Sequence, residues 1–563
     1  MANPDLARLS AEFFQVKHSA DPLTATLLGA SGFDGQLPDP SRAGSQAAAA
    51  ALAGIERRLT LIDPSALGEA DRINHAVLGA LAWGARSDLE DSLWEANASA
   101  ESYASPQAAP FQAVATAPLP DPDAIGGYLR RLEGLGGYFD AIAQRYRDAK
   151  ADGRVPTAVG VRHAIAQLSG HLAAHVGRDA LLHPGLPADS AAREKAAAII
   201  TGNVRPSMRR LLATLTELMP FARPDDQVGI RFVPGGEAGY RAAVRRHTTT
   251  TLSPEEIHQV GLDCLAELSG EWAELGGRVL GTTDLPEIYR RLRQDPALRF
   301  ERTGQIVAVV SAALRRAEEA AGEWFPDYGI AGCVIEEINP IEAGNSSLAY
   351  YRPPAGGTRP GAHCVLTAQP EQRFTYEYEA LAFHESVPGH HLQIASAQTL
   401  ADLPAYRRFL DAEVGAYVEG WGLYSERLAD EMGLYTSDVA RLGMLSFDAW
   451  RACRLVVDTG MHHFGWSRSR AADFMWEHTA TTRANVDNEI DRYIGWPGQA
   501  LGYMIGRREI VRLRTQAQQR LAGRFDIRAF HAAVLGNGAV PLGVLDQIVS
   551  RWIQSAEDTK GTR

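Results

Sequence analysis

The stretch His384-Glu385-Ser386-Val387-Pro388-Gly389-His390-His391 gathers three histidines and a glutamate within eight residues of a 563-residue chain. A histidine followed by a glutamate and then by further histidines is how a helix offers zinc two imidazoles and a general base. The common spacing puts the second histidine four residues after the first. Here position 388 is proline, and the next histidines come six and seven residues on. On a straight helix, at about 100° and 1.5 Å per residue, His390 would point about 120° away from His384. His391 would share its face but lie about 10 Å along it, so neither pair reaches one ion. Pro388 lacks the N–H that would bond the carbonyl of His384, and Gly389 accepts unusual dihedrals. A kink or bulge between the histidines is therefore expected, one that brings His390 back toward His384. Without it the segment is a capped helix end with surface histidines.

Working outward, a third ligand is expected on the next helix, read as Ala405 to Glu431, which carries Asp411, Glu413, Glu419 and Glu426. If residues 401–404 turn the chain between antiparallel helices, Glu419 comes level with about residue 383 and Glu413 with about 389. Glu426 then falls near 376, too far to join as a ligand. Gly420 and Gly422 beside Glu419 allow backbones to approach closely. Glu419 is the expected ligand and Glu413 the reserve.

Upstream, between about 330 and 370, short β-prone pieces separated by Pro and Gly predict a small sheet: Cys333 to Ile338, Ser346 to Tyr351 and His363 to Thr367. The Pro and Gly loop 353–361 reads as a hairpin connection, with a mobile flap as the alternative. Helical spacing dominates elsewhere, giving a mainly α chain with helices over Tyr376 to Ala397 and Ser437 to Gly460 among others. Ser253-Pro254-Glu255-Glu256 is a helix start: Ser as N-cap, Pro in the first turn, Glu closing a capping box. The Pro- and Gly-bracketed stretch 220–236 is the best candidate boundary, dividing a helical region 1–220 from a catalytic region 221–563 packed closely on it.

Composition excludes several classes. Net charge is -12, with 45% hydrophobic and 22% charged residues, which argues for a soluble globular protein and against nucleic acid as partner. No apolar run reaches the roughly 20 residues of a membrane span, and no secretory signal is visible, so no membrane partner and a cytoplasmic location are expected. Cys264, Cys333, Cys364 and Cys453 lie too far apart in sequence to suggest a thiolate zinc site or a disulfide framework. His171 and His175 share helical spacing but lack a neighbouring glutamate and sit among Ala and Leu, which reads as structural. There is no GxxxxGK[ST] and no GxSxG.

The string His384-Glu-Ser-Val-Pro-Gly-His-His-Leu-Gln393, with Tyr417-Val-Glu-Gly-Trp-Gly-Leu-Tyr-Ser-Glu426, closely resembles a bacterial domain-of-unknown-function family placed in the zincin metallopeptidase clan. Blocks at Gly235 to Tyr240, Thr251 to His258, Val457 to His462 and Pro497 to Tyr503 extend the resemblance over at least 235–510. It implies a large helical, cleft-forming metallopeptidase with one Zn2+. Its ligands would be His384, His390 and Glu419, with Glu385 as the base that activates water. His391 remains the alternative second ligand; otherwise His391 and Glu426 stand behind the ligands and support them. The clan places a Tyr or His against the oxyanion, which makes His462, Tyr493 and Tyr503 candidates, His462 and Tyr503 foremost. It also uses an edge strand to pair with the substrate backbone, which points to Ala349 and Tyr350.

Arg492, beside Tyr493, is a candidate for a substrate carboxylate, against an ion pair with Glu489 or Asp491. The leading expectation is zinc-dependent hydrolysis of peptide bonds in short peptides, the helical first region roofing a deep cleft. The alternatives are a dedicated amidohydrolase for one specialised metabolite and a non-catalytic binding protein that kept the fold.

Overall fold

The computed structural model describes residues 3–338, 347–354, 359–410 and 412–558. Helices dominate it, and the strands among the described residues form one three-stranded sheet, so the chain is mainly α. It divides into two compact units. The first combines 1–243 with 460–471 and 488–497; the second holds 244–459, 472–487 and 498–563.

In the first unit the long helix Pro122–Ala151 buries Leu132, Leu135, Phe139 and Ile142 against apolar residues of Ala158–Ala173 and Arg205–Leu218. The 220–236 stretch is not loose. Buried Arg223 ties it down, donating to the carbonyls of Ala96, Gln227, Val228 and Gly229. His171 ends a helix stacked on Phe111, and His175 lies beyond that helix with its Nδ1 accepting from the Gly177 N–H, so the two do not form a pair.

The second unit opens with the predicted capping box. Ser253 Oγ accepts from the Glu256 N–H at 3.2 Å and the Glu256 carboxylate accepts from the Ser253 N–H at 2.8 Å, starting helix Pro254–Leu280. The sheet consists of β1 (Val334–Glu337), β2 (Ala349–Arg352) and β3 (Ala362–Val365). β3 is central, parallel to β1 and antiparallel to β2. Register sorts its side chains by face, since alternate residues point to opposite sides. Tyr350, opposite Cys364, packs with Ile338, Ala362 and Leu366 in a small apolar cluster, whereas Tyr351 and its partner His363 point the other way. The expected strand residue Ser346 and the loop residues 355–358 lie outside the described residues.

Two long predicted helices are interrupted. The one read as Tyr376 to Ala397 is two helices, Tyr378–Glu385 and His390–Thr399, separated at 386–389. Ser386 (φ -107°, ψ -121°) and Gly389 (φ -79°, ψ -131°) leave helical space, and the Val387–Pro388 peptide is cis. The segment read as Ala405 to Glu431 begins with only a single turn, Ala405–Arg408, before a 3-10 turn and helix Gly415–Glu431.

Candidate metal centre

The break at 386–389 is gripped from one side. Pro388 O accepts from Trp421 Nε1 at 2.9 Å and from Ser425 Oγ at 3.2 Å, both on helix Gly415–Glu431. A Cβ at Gly389 would lie 1.9 Å from the carbonyl oxygen of His384, so the tight return of the chain requires glycine. The turn brings the rings of His384 and His390 to 4.6 Å between centroids at 86°. The expected distortion is present, as a full break between two helices.

Helix Gly415–Glu431 closes the group. Glu419 Oε2 is 3.5 Å from His384 Nε2 and 3.4 Å from His390 Nε2. One ligand atom from each of the three residues lies within 4.8 Å of the others. Ligands about 2.0–2.1 Å from a tetrahedral zinc ion are separated by about 3.4 Å, so the two carboxylate–imidazole separations match what zinc needs. Glu419 Oε2 is buried and faces only the two imidazole nitrogens, each too long for a good hydrogen bond, an arrangement that a shared cation or a proton on an imidazole completes. The donor set of two imidazoles and one carboxylate is that of a catalytic zinc site with a position left for water. The residues therefore fit the ion.

His384 is held on both sides. Its Nδ1 donates to Glu426 Oε1 at 2.8 Å, which points Nε2 at Glu419 and His390. Burial alone would lower its pKa, but Glu419 and Glu426 outweigh burial and hold the imidazole up at about 9. Glu385 is buried, and burial raises its carboxyl above the usual range despite the two imidazoles. Glu426 is thus within reach of His384, contrary to the level expected for it. Glu419 and Glu426 are seven residues apart on one helix face, and the imidazole spans the gap between them.

Both ring nitrogens of His391 are bonded elsewhere, which leaves neither for a metal. Its Nε2 is 2.9 Å from the Ala331 carbonyl, to which it donates, so its Nδ1 accepts the hydroxyl proton of Tyr351 at 3.0 Å. Glu413 sits in the 3-10 turn Ala412–Val414, apart from the group that could hold a metal, and Asp411 lies outside the described residues.

A family model described as "Bacterial protein of unknown function (DUF885)" matches residues 22–549. The chain belongs to DUF885. Solved structures share its fold, two of them over nearly the whole chain. A "putative lipoprotein" from Colwellia psychrerythraea is 26% identical, with a TM-score of 0.89 over 98% of this chain and 99% of that one. A second, from Shewanella oneidensis and titled a "putative lipoprotein of unknown function", is 19% identical, with a TM-score of 0.73 over 98% of this chain and 100% of its own. No curated protein matches the sequence. No helix among the described residues of this DUF885 chain is long and apolar enough to cross a membrane.

Several expected site residues of the DUF885 chain are committed elsewhere. His462 is fully buried: Nδ1 accepts from the Ile230 N–H at 3.0 Å and Nε2 donates to the Tyr493 carbonyl at 3.0 Å. Burial lowers its pKa to about 4, and with both nitrogens engaged it has no proton to offer an oxyanion. Arg492 is paired with Glu489 at 2.9 Å, and buried Tyr493 donates its hydroxyl proton to the same carboxylate, so this cluster is an ion-pair network in the first unit. Tyr503 is half-buried beneath the guanidinium of Arg454, 4.1 Å from its ring centre. Tyr350 faces the apolar cluster, while Ala349 begins the edge strand β2.

Two residues on the sheet escaped the sequence reading. Tyr351 ties β2 to His391. His363 is fully buried with neither ring nitrogen hydrogen-bonded, and burial, reinforced by His384, lowers its pKa to about 3. The parity of β2 relative to His363 would have picked Tyr351 over Tyr350, had the register been known.

Proposed function

We propose that this DUF885 chain is a zinc-dependent hydrolase that cleaves peptide bonds in short peptides. The observation that carries the reading is the convergence of His384 Nε2, His390 Nε2 and Glu419 Oε2, 3.4–3.5 Å across the two carboxylate–imidazole separations, with buried Glu385 next in chain to His384. The resemblance to the zincin clan agrees with it. Zinc bound there supplies a Lewis acid that polarises a carbonyl and lowers the pKa of water toward about 7.

The remaining work falls to the protein. Glu385, with its carboxyl raised by burial, is suited to accept the proton of the attacking water and return it to the leaving amine. Glu426 holds the His384 ring in the tautomer that leaves Nε2 as acceptor. β2 is an edge strand, and its outer backbone from Ala349 is suited to pair with an extended peptide. Tyr503 is the remaining candidate donor to the oxyanion.

The test is metal analysis of the purified protein together with cleavage of a mixed peptide library by wild type and Glu385→Gln. Broad cleavage by a zinc-loaded wild type, reduced at least about 100-fold in the variant, is expected. A zinc-loaded wild type that leaves every peptide intact sinks the peptidase reading, and a protein that takes up no metal sinks any zinc hydrolase.

A further inference from the structure

Helix Asp438–His462 delivers a buried cation to the Nδ1 side of His384. Arg451 is 5% exposed, and its Nη2 lies 3.6 Å from Glu426 Oε1, the same oxygen that accepts from His384 Nδ1 at 2.8 Å. The guanidinium is framed by aromatic rings, 4.6 Å from the centre of Phe447, 5.1 Å from Trp450 and 5.9 Å from Tyr503. Its Nε and Nη1 are buried with no hydrogen-bond partner, as is Glu426 Oε2.

A structural arginine in a protein interior normally spends its donors on carbonyls or forks onto a carboxylate, as Arg223 does with carbonyls in the first unit. Arg451 does neither. At 3.6 Å its contact with Glu426 is too long for a direct hydrogen bond, so it acts on that carboxylate through charge. Placing two opposite charges out of water is costly unless their mutual attraction is used, and here the shared oxygen is the one that orients a metal ligand.

We propose that Arg451 is a positioning residue for the metal centre: it opposes the charge of Glu426, which keeps that carboxylate on His384 Nδ1 and the imidazole turned with Nε2 toward Glu419 and His390. Contact runs from Arg451 to Glu426 to His384, so the arginine is proposed to act on the metal chiefly through the glutamate, beside the direct reach of its charge to Glu385. The inference rests on the reading that His384, His390 and Glu419 bind a metal.

Serial action makes a double-mutant cycle decisive. Zinc affinity is measured by competition with a chromogenic chelator for wild type, Arg451→Met, Glu426→Gln and the double variant, with folding checked by circular dichroism. Arg451→Met and Glu426→Gln are each expected to weaken zinc binding by about 10- to 100-fold, and the double variant to stay within about twofold of Glu426→Gln. Arg451→Lys, which keeps the charge, should recover most of the loss, and the cobalt(II) absorption of the Met variant should shift while that of the Lys variant does not. Should Arg451→Met not fold, Arg451→Gln takes its place in the cycle. Affinity within twofold of wild type in the neutral variant, or losses that multiply in the double, overturns the proposal. A wild type that binds no zinc overturns the metal reading itself, an outcome distinct from either.

Discussion

A Cβ on Gly422 would stand 2.7 Å from Cε1 and 2.8 Å from Nε2 of His384, so the imidazole rests directly on the backbone of helix Gly415–Glu431. Positions 419, 422 and 426 share one face of that helix, which puts a carboxylate at each ring nitrogen and nothing between them but glycine. Gly422→Ala should therefore push His384 aside. Zinc affinity is expected to fall by about 100-fold or more, with about 1–3 kcal/mol lost in stability from overpacking. Metal titration and urea denaturation of the variant check both.

Gly389 is under a harder constraint, because its added Cβ would meet backbone: His384 O at 1.9 Å and Phe383 O at 2.4 Å. Neither atom can move without unwinding the end of helix Tyr378–Glu385. Gly389→Ala is expected to cost more than about 3 kcal/mol and to abolish metal uptake, read from its denaturation midpoint and metal content.

Tyr351 donates to His391 Nδ1, and both groups are largely buried. Tyr351→Phe leaves that nitrogen without its donor, at a cost of about 1–3 kcal/mol. Zinc binding should persist, because His391 is no ligand, and thermal denaturation set beside zinc titration separates the two effects.

The pH dependence of the metal-free protein follows from His384. Its folded pKa of about 9 lies above the ordinary value of 6.5, so between these values the folded state binds the proton and the unfolded state does not. The resulting stabilisation, on the order of 1–3 kcal/mol, is fully present below about pH 6.5 and fades as pH rises through about 9. Zinc requires the neutral ring, so stabilisation by added zinc should grow over the same range. Thermal melts from about pH 6 to 9.5 should show stability falling with pH in chelator and staying nearly level in saturating zinc, so that the gap between the two widens; a gap that does not change with pH contradicts the ligand role of His384.

What the sequence disclosed was local. The mismatch of His384 and His390 on a straight helix, with Pro388 and Gly389 between them, announces a break because each is a statement about neighbouring backbone. Ser253 and Glu256 close their capping box for the same reason. Glu419 lies beside His384 and His390, although its two glycines serve separate neighbours. Gly422 admits His384, whereas Gly420 admits the backbone of Gly506 on helix Gly502–Leu521, whose Cα would lie 2.6 Å from a Cβ at position 420.

The failures were in pairings between distant segments. His462 is engaged by Ile230, far away in sequence, and no pattern around either residue signals the bond. Tyr350 and Tyr351 are interchangeable until the register against His363 assigns their faces. Glu426 stands behind His384 as expected, but the level near residue 376 rests on two segments running as unbroken antiparallel rods, and the interruptions at 386–389 and after Arg408 remove that premise.

The central claim is that one zinc ion is held by His384, His390 and Glu419. Calorimetric zinc titration of wild type, His390→Ala and His391→Ala tests it most directly. One ion per chain is predicted for wild type and for His391→Ala, with binding lost in His390→Ala. Retention of wild-type affinity by a folded His390→Ala, or no binding by wild type, would contradict it.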